Sequence, residues 1–167
     1  MTASKLPHPT QPHIFISTDR TLLDLPMIHT QLSTQQYWSL GIPLPTVQTA
    51  IHNSLCLGLY DNSTGSLHQI GFARWVTDYA CFGCLSDVFI LPEYRGKGLG
   101  AWLVQEAVKM TEIRMCRRLM LVTRDPGFYE KLEGEKWVRA REGEEETGVT
   151  TMEIRRNSRV LYKSSGS

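Results

Sequence analysis

The chain has 167 residues, 41% hydrophobic and 21% charged, which suits one soluble domain with a real core. Its 18 basic and 17 acidic residues leave a net charge of +1, which offers no basic field for nucleic acid and no polybasic face for a membrane. No apolar run approaches the about 18 residues of a spanning helix, and the start of the chain has no signal-type apolar stretch, so a cytoplasmic protein is expected.

Residues 1–12 carry three prolines and read as a flexible arm; the domain is expected over 13–157, with a flexible tail at 158–167. Ile14, Phe15 and Ile16 read as a short strand. Residues 24–32 follow with Leu25, Ile28 and Leu32 at helical spacing. Gly41 and Pro43 break the pattern. Pro43 suits the first turn of a second helix, running to about residue 53 with Leu44, Val47 and Ile51 on one face.

Residues 55–60 are a strand, closed by the turn chemistry of Asp61-Asn62-Ser63-Thr64-Gly65. Residues 69–77 are its hairpin partner. A turn at Asp78-Tyr79 leads into residues 81–91, the longest strand candidate, which Pro92 closes because proline lacks the ladder donor. Cys81 and Cys84 have CxxC spacing inside that strand. A zinc site needs two further ligands and no second pair exists, while a thioredoxin-type pair opens a helix. Free, buried thiols and no metal are the expectation, with Cys56 and Cys116 read the same way.

From Gly98 the period becomes helical, with Leu99, Trp102, Leu103, Ala107 and Met110 on one stripe ending near residue 111. Residues 119–123 read as a central strand and 127–132 as a short helix. Residues 137–138 and 150–155 are the last strand candidates, separated by an acidic loop at 142–146. This order makes an α/β, mixed α+β fold, with about six to seven mostly antiparallel strands and about four helices.

The most informative stretch is Asp87-Val88-Phe89-Ile90-Leu91-Pro92-Glu93-Tyr94-Arg95-Gly96-Lys97-Gly98-Leu99-Gly100. A strand enters a turn with three glycines at alternate positions, and that turn opens an amphipathic helix. Amides at a helix N-terminus carry about half a positive charge, and glycines let phosphate oxygens reach that backbone. Arg95 and Lys97 add cations. A Walker A loop requires GxxxxGK[ST], which is absent. A Rossmann fingerprint fits formally as Gly96-x-Gly98-x-x-Ala101, but it begins a parallel unit with its first glycine on the strand end, whereas Pro92 to Arg95 intervene here.

The hexamer Arg95-Gly96-Lys97-Gly98-Leu99-Gly100 matches [RQ]-x-x-G-x-[GA] of the GNAT N-acetyltransferase superfamily, and Val88-x-Ile90-x-Pro92-Glu93-Tyr94 resembles the strand before it. The chain also resembles small microbial single-domain members in Tyr37-Trp38, Gly71-Phe72-Ala73-Arg74, Thr77-Asp78-Tyr79-Ala80 and Thr123-Arg124-Asp125. The resemblance runs from about residue 14 to 155. It implies acetyl-CoA as acetyl donor, lying where the strand 85–91 splays from the strand 119–123. The backbone of Val88, Phe89 and Ile90 would hold the pantetheine arm. The amides of Arg95, Gly96, Lys97, Gly98, Leu99 and Gly100 would hold the pyrophosphate.

Acetyl transfer to an amine needs a neutral nucleophile, a polarised carbonyl and a proton for the departing thiolate. The resemblance makes Tyr129 the proton donor, since Tyr129-Glu130-Lys131-Leu132 looks like the family's Y-E-K-[LF] helix, and a phenol pKa of about 10 lies close to that of a thiol. Its alternative is a packed ring with its hydroxyl in solvent. The loop of Pro126, Gly127 and Phe128 is shorter than in the subgroup and lacks its histidine. Glu133-Gly134-Glu135-Lys136-Trp137 looks like an insertion. Asp87 is the candidate general base, or else an ion-pair partner of Arg74 or Arg124. His8, His13, His29, His52 and His68 lie outside the central motifs and read as surface or helix residues.

Tyr37 and Trp38 form an aromatic wall of an acceptor pocket, or else pack at the junction of the first two helices. Arg74, Asp78, Tyr79 and Arg124 would orient a polar acceptor. The expected function is an N-acetyltransferase moving acetyl from acetyl-CoA to a primary amine of a small molecule or peptide in a ternary complex, with a homodimer compatible. The rival from another class is a non-catalytic acyl-CoA-binding regulatory module on the same fold.

Overall fold

The computed structural model describes residues 4–140 and 148–156. The acidic loop at 142–146 and the tail from 158 lie outside the described residues. Among the described residues, eight strands form one mixed, mostly antiparallel sheet: β1 (Lys5–Pro7), β2 (Ile14–Ser17), β3 (Leu55–Asp61), β4 (His68–Thr77), β5 (Phe82–Ile90), β6 (Arg118–Thr123), β7 (Val138–Arg139) and β8 (Thr150–Arg155). Their order is β1-β2-β3-β4-β5-β6-β8-β7. The helices are α1 (Leu25–Thr34), α2 (Leu44–His52), α3 (Leu99–Lys109) and α4 (Pro126–Glu130). Two compact units share these elements, one of the described residues up to Arg74 with Asp87–Leu103, the other of Trp75–Ser86 with those from Val104 onward. Among the described residues no helix is long and apolar enough to cross a membrane.

In the first unit the strand count exceeds the expectation, because Lys5–Pro7 leave the supposed loose arm and pair with β2 through Leu6–Ile16. Ser4 N donates to Thr18 Oγ1 at 2.9 Å, and Lys5 Nζ lies 4.0 Å from the centre of the Phe15 ring. Such a strand is short and solvent-facing, so it carries no alternation that composition could reveal. β3 is buried at every position, as a strand covered on both faces must be.

α1 begins where Asp24 accepts from Met27 N at 2.9 Å, with Pro26 in the first turn. Asp24 N in turn donates to Gln69 Oε1 at 2.7 Å, which fixes the helix start to β4. Ile28 and Leu32 of α1, Val47 of α2, and Cys56, Phe72 and Phe89 of the sheet make one buried cluster. Each large apolar side chain there contributes about 1.5–3 kcal/mol by leaving water. Burial pushes the Cys56 thiol up to about 11, so it is an inert thiol of the core.

In the second unit, Asp78 Oδ1 accepts from the amides of Ala80, Cys81 and Phe82 at 2.9–3.0 Å and so closes the β4–β5 turn, with Tyr79 at φ +59°. β5 pairs in parallel with β6 from Phe82–Arg118 to Cys84–Met120. Gly83 suits the close packing there, since a Cβ would stand 3.1 Å from both Leu119 and Trp75 and push on their side chains. Trp75 is fully buried, and its Nε1 donates to Ala107 O at 3.1 Å. Arg156 donates to Ile113 O and Val108 O and meets Glu135 at 2.7 Å. All four cysteines are free thiols.

Candidate active site

The segment that sequence singled out begins with a backbone anomaly. Asp87 on β5 has φ +53°, a left-handed conformation uncommon outside glycine and frequent at functional sites. Two side chains hold its carboxylate there. Arg74 Nε donates to Oδ2 at 2.5 Å and Trp38 Nε1 to Oδ1 at 3.2 Å. Arg74 Nη1 donates further to Ser54 Oγ at 3.1 Å, while Arg20 reaches the Ser54 carbonyl at 2.5 Å. Ser54 carries no motif, and sequence reasoning missed it.

Tyr37 and Trp38 do not pack into the core. They are exposed and meet edge-on, with centroids 4.9 Å apart and an interplanar angle of 89°. The reason is their position beyond α1, in the turns before Gly41 and Pro43, where Trp38 gains a polar partner for its indole that the core would not provide. Tyr37, Trp38, Arg74 and Asp87, expected on separate grounds, are linked through these contacts.

Beyond Asp87, Val88 is half-buried, and Phe89 and Ile90 are buried. Gly71 on β4 lets this strand end approach, because a Cβ there would stand 2.7 Å from Ile90 Cδ1 and 3.0 Å from Phe89 O. Pro92–Tyr94 make one 3-10 turn, and Arg95 folds back so that its Nε donates to Ile90 O at 3.0 Å. Arg95 therefore secures the turn to the strand it leaves.

Gly96 at φ +73° and Gly98 at φ +76° then carry the chain into α3. A Cβ at either would meet no heavy atom within 4 Å. Glycine is needed for the conformation, and the space beside the backbone is open to a ligand. The first helical amides, including those of Leu99 and Gly100, have no carbonyl partner within the helix. Lys97 Nζ lies 5.0 Å from the centre of the Tyr94 ring, a cation beside the turn. These features fit a polyphosphate.

Within the second unit, Asp125 accepts from Phe128 N at 3.1 Å and starts α4 with Pro126 in its first turn. This brief helix presents Tyr129 half-buried, with ring centroids 4.9 Å from Phe128 and 6.0 Å from Trp137. Trp137, from the apparent insertion, is thus a packing partner of Tyr129 that the motif did not reveal. Arg124 is exposed just after β6. The amides that Asp78 accepts, Phe82 N foremost, hold its carboxyl below the usual aspartate value, the behaviour of a turn cap.

A family model described as an acetyltransferase (GNAT) domain matches residues 53–133. A Gibberella zeae protein whose name places it among acetyltransferases is 36% identical over 134 residues, spanning 70% of this chain and 75% of that one. A crystal structure of a GNAT-family protein from Xanthomonas campestris pv. campestris is 41% identical with a TM-score of 0.65, covering 72% of this chain and 83% of that one. A GNAT acetyltransferase from Elizabethkingia anophelis, solved with acetyl-CoA bound, shares the fold at 10% identity, with a TM-score of 0.59 and coverages of 86% and 98%.

Proposed function

The chain belongs to the GNAT acetyltransferase family, and we propose that it moves the acetyl group of acetyl-CoA directly to a primary amine, in a ternary complex and without an acyl-enzyme. The observation that carries this is the pair of left-handed glycines, Gly96 and Gly98, with open space beside them at the start of α3. Bound acetyl-CoA supplies an activated thioester carbonyl. The amides of Arg95 to Gly100 hold its pyrophosphate, with Lys97 beside them, and the backbone of Val88, Phe89 and Ile90 holds the pantetheine arm.

Tyr129 Oη holds the proton that the departing sulfur takes. Its ring is braced edge-on by Phe128 and Trp137, which suits a group that must keep its aim. Asp87 acts as a positioning residue. Both its oxygens already accept hydrogen bonds, from Trp38 and Arg74, and these fix its carboxylate in place. The amine loses its proton to solvent, while Arg124 and Tyr79 orient the acceptor.

The test is incubation with acetyl-CoA and a panel of primary amines, reading free thiol and the acetylated product by mass. Thiol release that depends on the amine is expected. Tight CoA binding with no amine-dependent release would instead make the protein an acyl-CoA-binding module.

A further inference from the structure

Tyr129 stands on α4, a helix of five residues, below the length at which a helix persists on its own. Its aim therefore depends on what packs around it. Trp137 is one such support, 3% exposed and with its ring centroid 6.0 Å from that of Tyr129. The four residues before Trp137, 133–136, are all exposed and mostly charged. Burial does not settle a stretch of that kind, so its place depends on side chains that reach it from elsewhere in the second unit. Gln105 of α3 donates to Glu133 O across a long 3.4 Å. Arg156, just past β8, makes a firmer hold, because its Nε donates to Oε2 of Glu135 and its Nη2 to Oε1, each at 2.7 Å.

The guanidinium that does this is itself fixed. Its Nη2 also donates to Val108 O at 2.9 Å, in the last turn of α3, and its Nη1 to Ile113 O at 2.7 Å. Carbonyls at a helix C-terminus carry partial negative charge and lack partners within the helix, so a cation there is favoured. The main chain of the same residue donates to Arg117 O at 2.8 Å. Only arginine has a planar fork that holds a carboxylate bidentately while serving carbonyls on its other side. Resting on Tyr129 as proton donor, we infer that Arg156 and Glu135 are positioning residues, whose ion pair anchors residues 133–137 to the end of α3 and keeps Trp137 against Tyr129. The exposed pair of Arg139 with Glu130 steadies α4 from β7, but such a surface pair adds little.

The experiment compares Glu135→Gln and Arg156→Lys, each in the parent and in Tyr129→Phe. Glu135 is exposed, so its variant folds even if the arginine change does not. In the parent, kcat should fall about fivefold or more in each variant while CoA affinity holds, since a misplaced donor costs only in the transition state. In Tyr129→Phe the same changes should alter kcat by less than about twofold, because the donor they aim is gone. Hydrogen exchange of the full chain, read by mass spectrometry, gives a second measure that needs no turnover. Peptides covering 126–138 should exchange about fivefold faster in the variants, with those of β3 unchanged. Equal kcat losses in both backgrounds, no loss in either, or exchange as slow as the parent's overturns the inference. Tyr129→Phe turning over like the parent would instead remove the proton-donor reading, and faster exchange would then still uphold the anchoring of Trp137 against that ring.

Discussion

The guanidinium of Arg74 on β4 meets the carboxylate of Asp87 on β5 at 2.5 Å, with the two side chains 17% and 13% exposed. Asp87 keeps its left-handed backbone under that restraint, directly before the strand end that leads to the glycine turn. Removing one partner leaves the other charge poorly solvated. Asp87→Asn should lose about 1–3 kcal/mol of stability, allowing for the remaining solvent screening. The double variant Arg74→Met/Asp87→Asn should lose less than the sum of the two single changes. Denaturant unfolding checks both, and single variants within about 0.5 kcal/mol of the parent would show that the pair restrains nothing.

Glu153 on β8 predicts an acid limb of stability. Arg155 at 2.6 Å and Arg118 at 3.1 Å hold its carboxyl below the ordinary value of 4.5. A folded value below the unfolded one means that the ionised form stabilises the fold. That contribution is fully present above the unfolded value and is lost as pH falls through the lowered folded one. Glu153→Gln should therefore be less stable than the parent at about pH 7, with the gap narrowing as pH falls below 4.5 through the lowered folded value. Urea unfolding across that range reads it, and a gap that does not change with pH would contradict the assignment.

Much of this was legible in the chain because local chemistry determines it. Gly96 and Gly98 adopt a conformation few other residues tolerate, and Pro43 stands at the start of α2 as its fixed φ suits. What stayed hidden depends on partners distant in sequence. Lys5–Pro7 become a strand only because β2 is there to pair with them. Trp38 reads equally as core or surface until Asp87, 49 residues on, accepts its indole proton. The left-handed backbone of Asp87 has no signature of its own, since aspartate takes that conformation more readily than most residues yet only occasionally, and nothing in the sequence marks where.

Tyr129 separates mechanism from packing. Tyr129→Phe keeps the ring against Phe128 and Trp137 and removes only the hydroxyl. With any accepted amine, kcat should fall by about 10² or more while CoA affinity and folding hardly move, because proton donation counts only in the transition state. A fall of less than about threefold would remove Tyr129 from the mechanism.

The most direct measurement is a calorimetric titration of CoA into the parent protein and into Gly98→Val. The account predicts clear saturable binding to the parent and an affinity loss of about tenfold or more in the variant, since a β-branched residue at φ +76° both strains the turn and fills the space where phosphate approaches. The fold should persist, because that Cβ meets no protein atom within 4 Å. Equal CoA affinity in the two proteins, or stabilisation of the parent by NAD(P) and not by CoA, would contradict it.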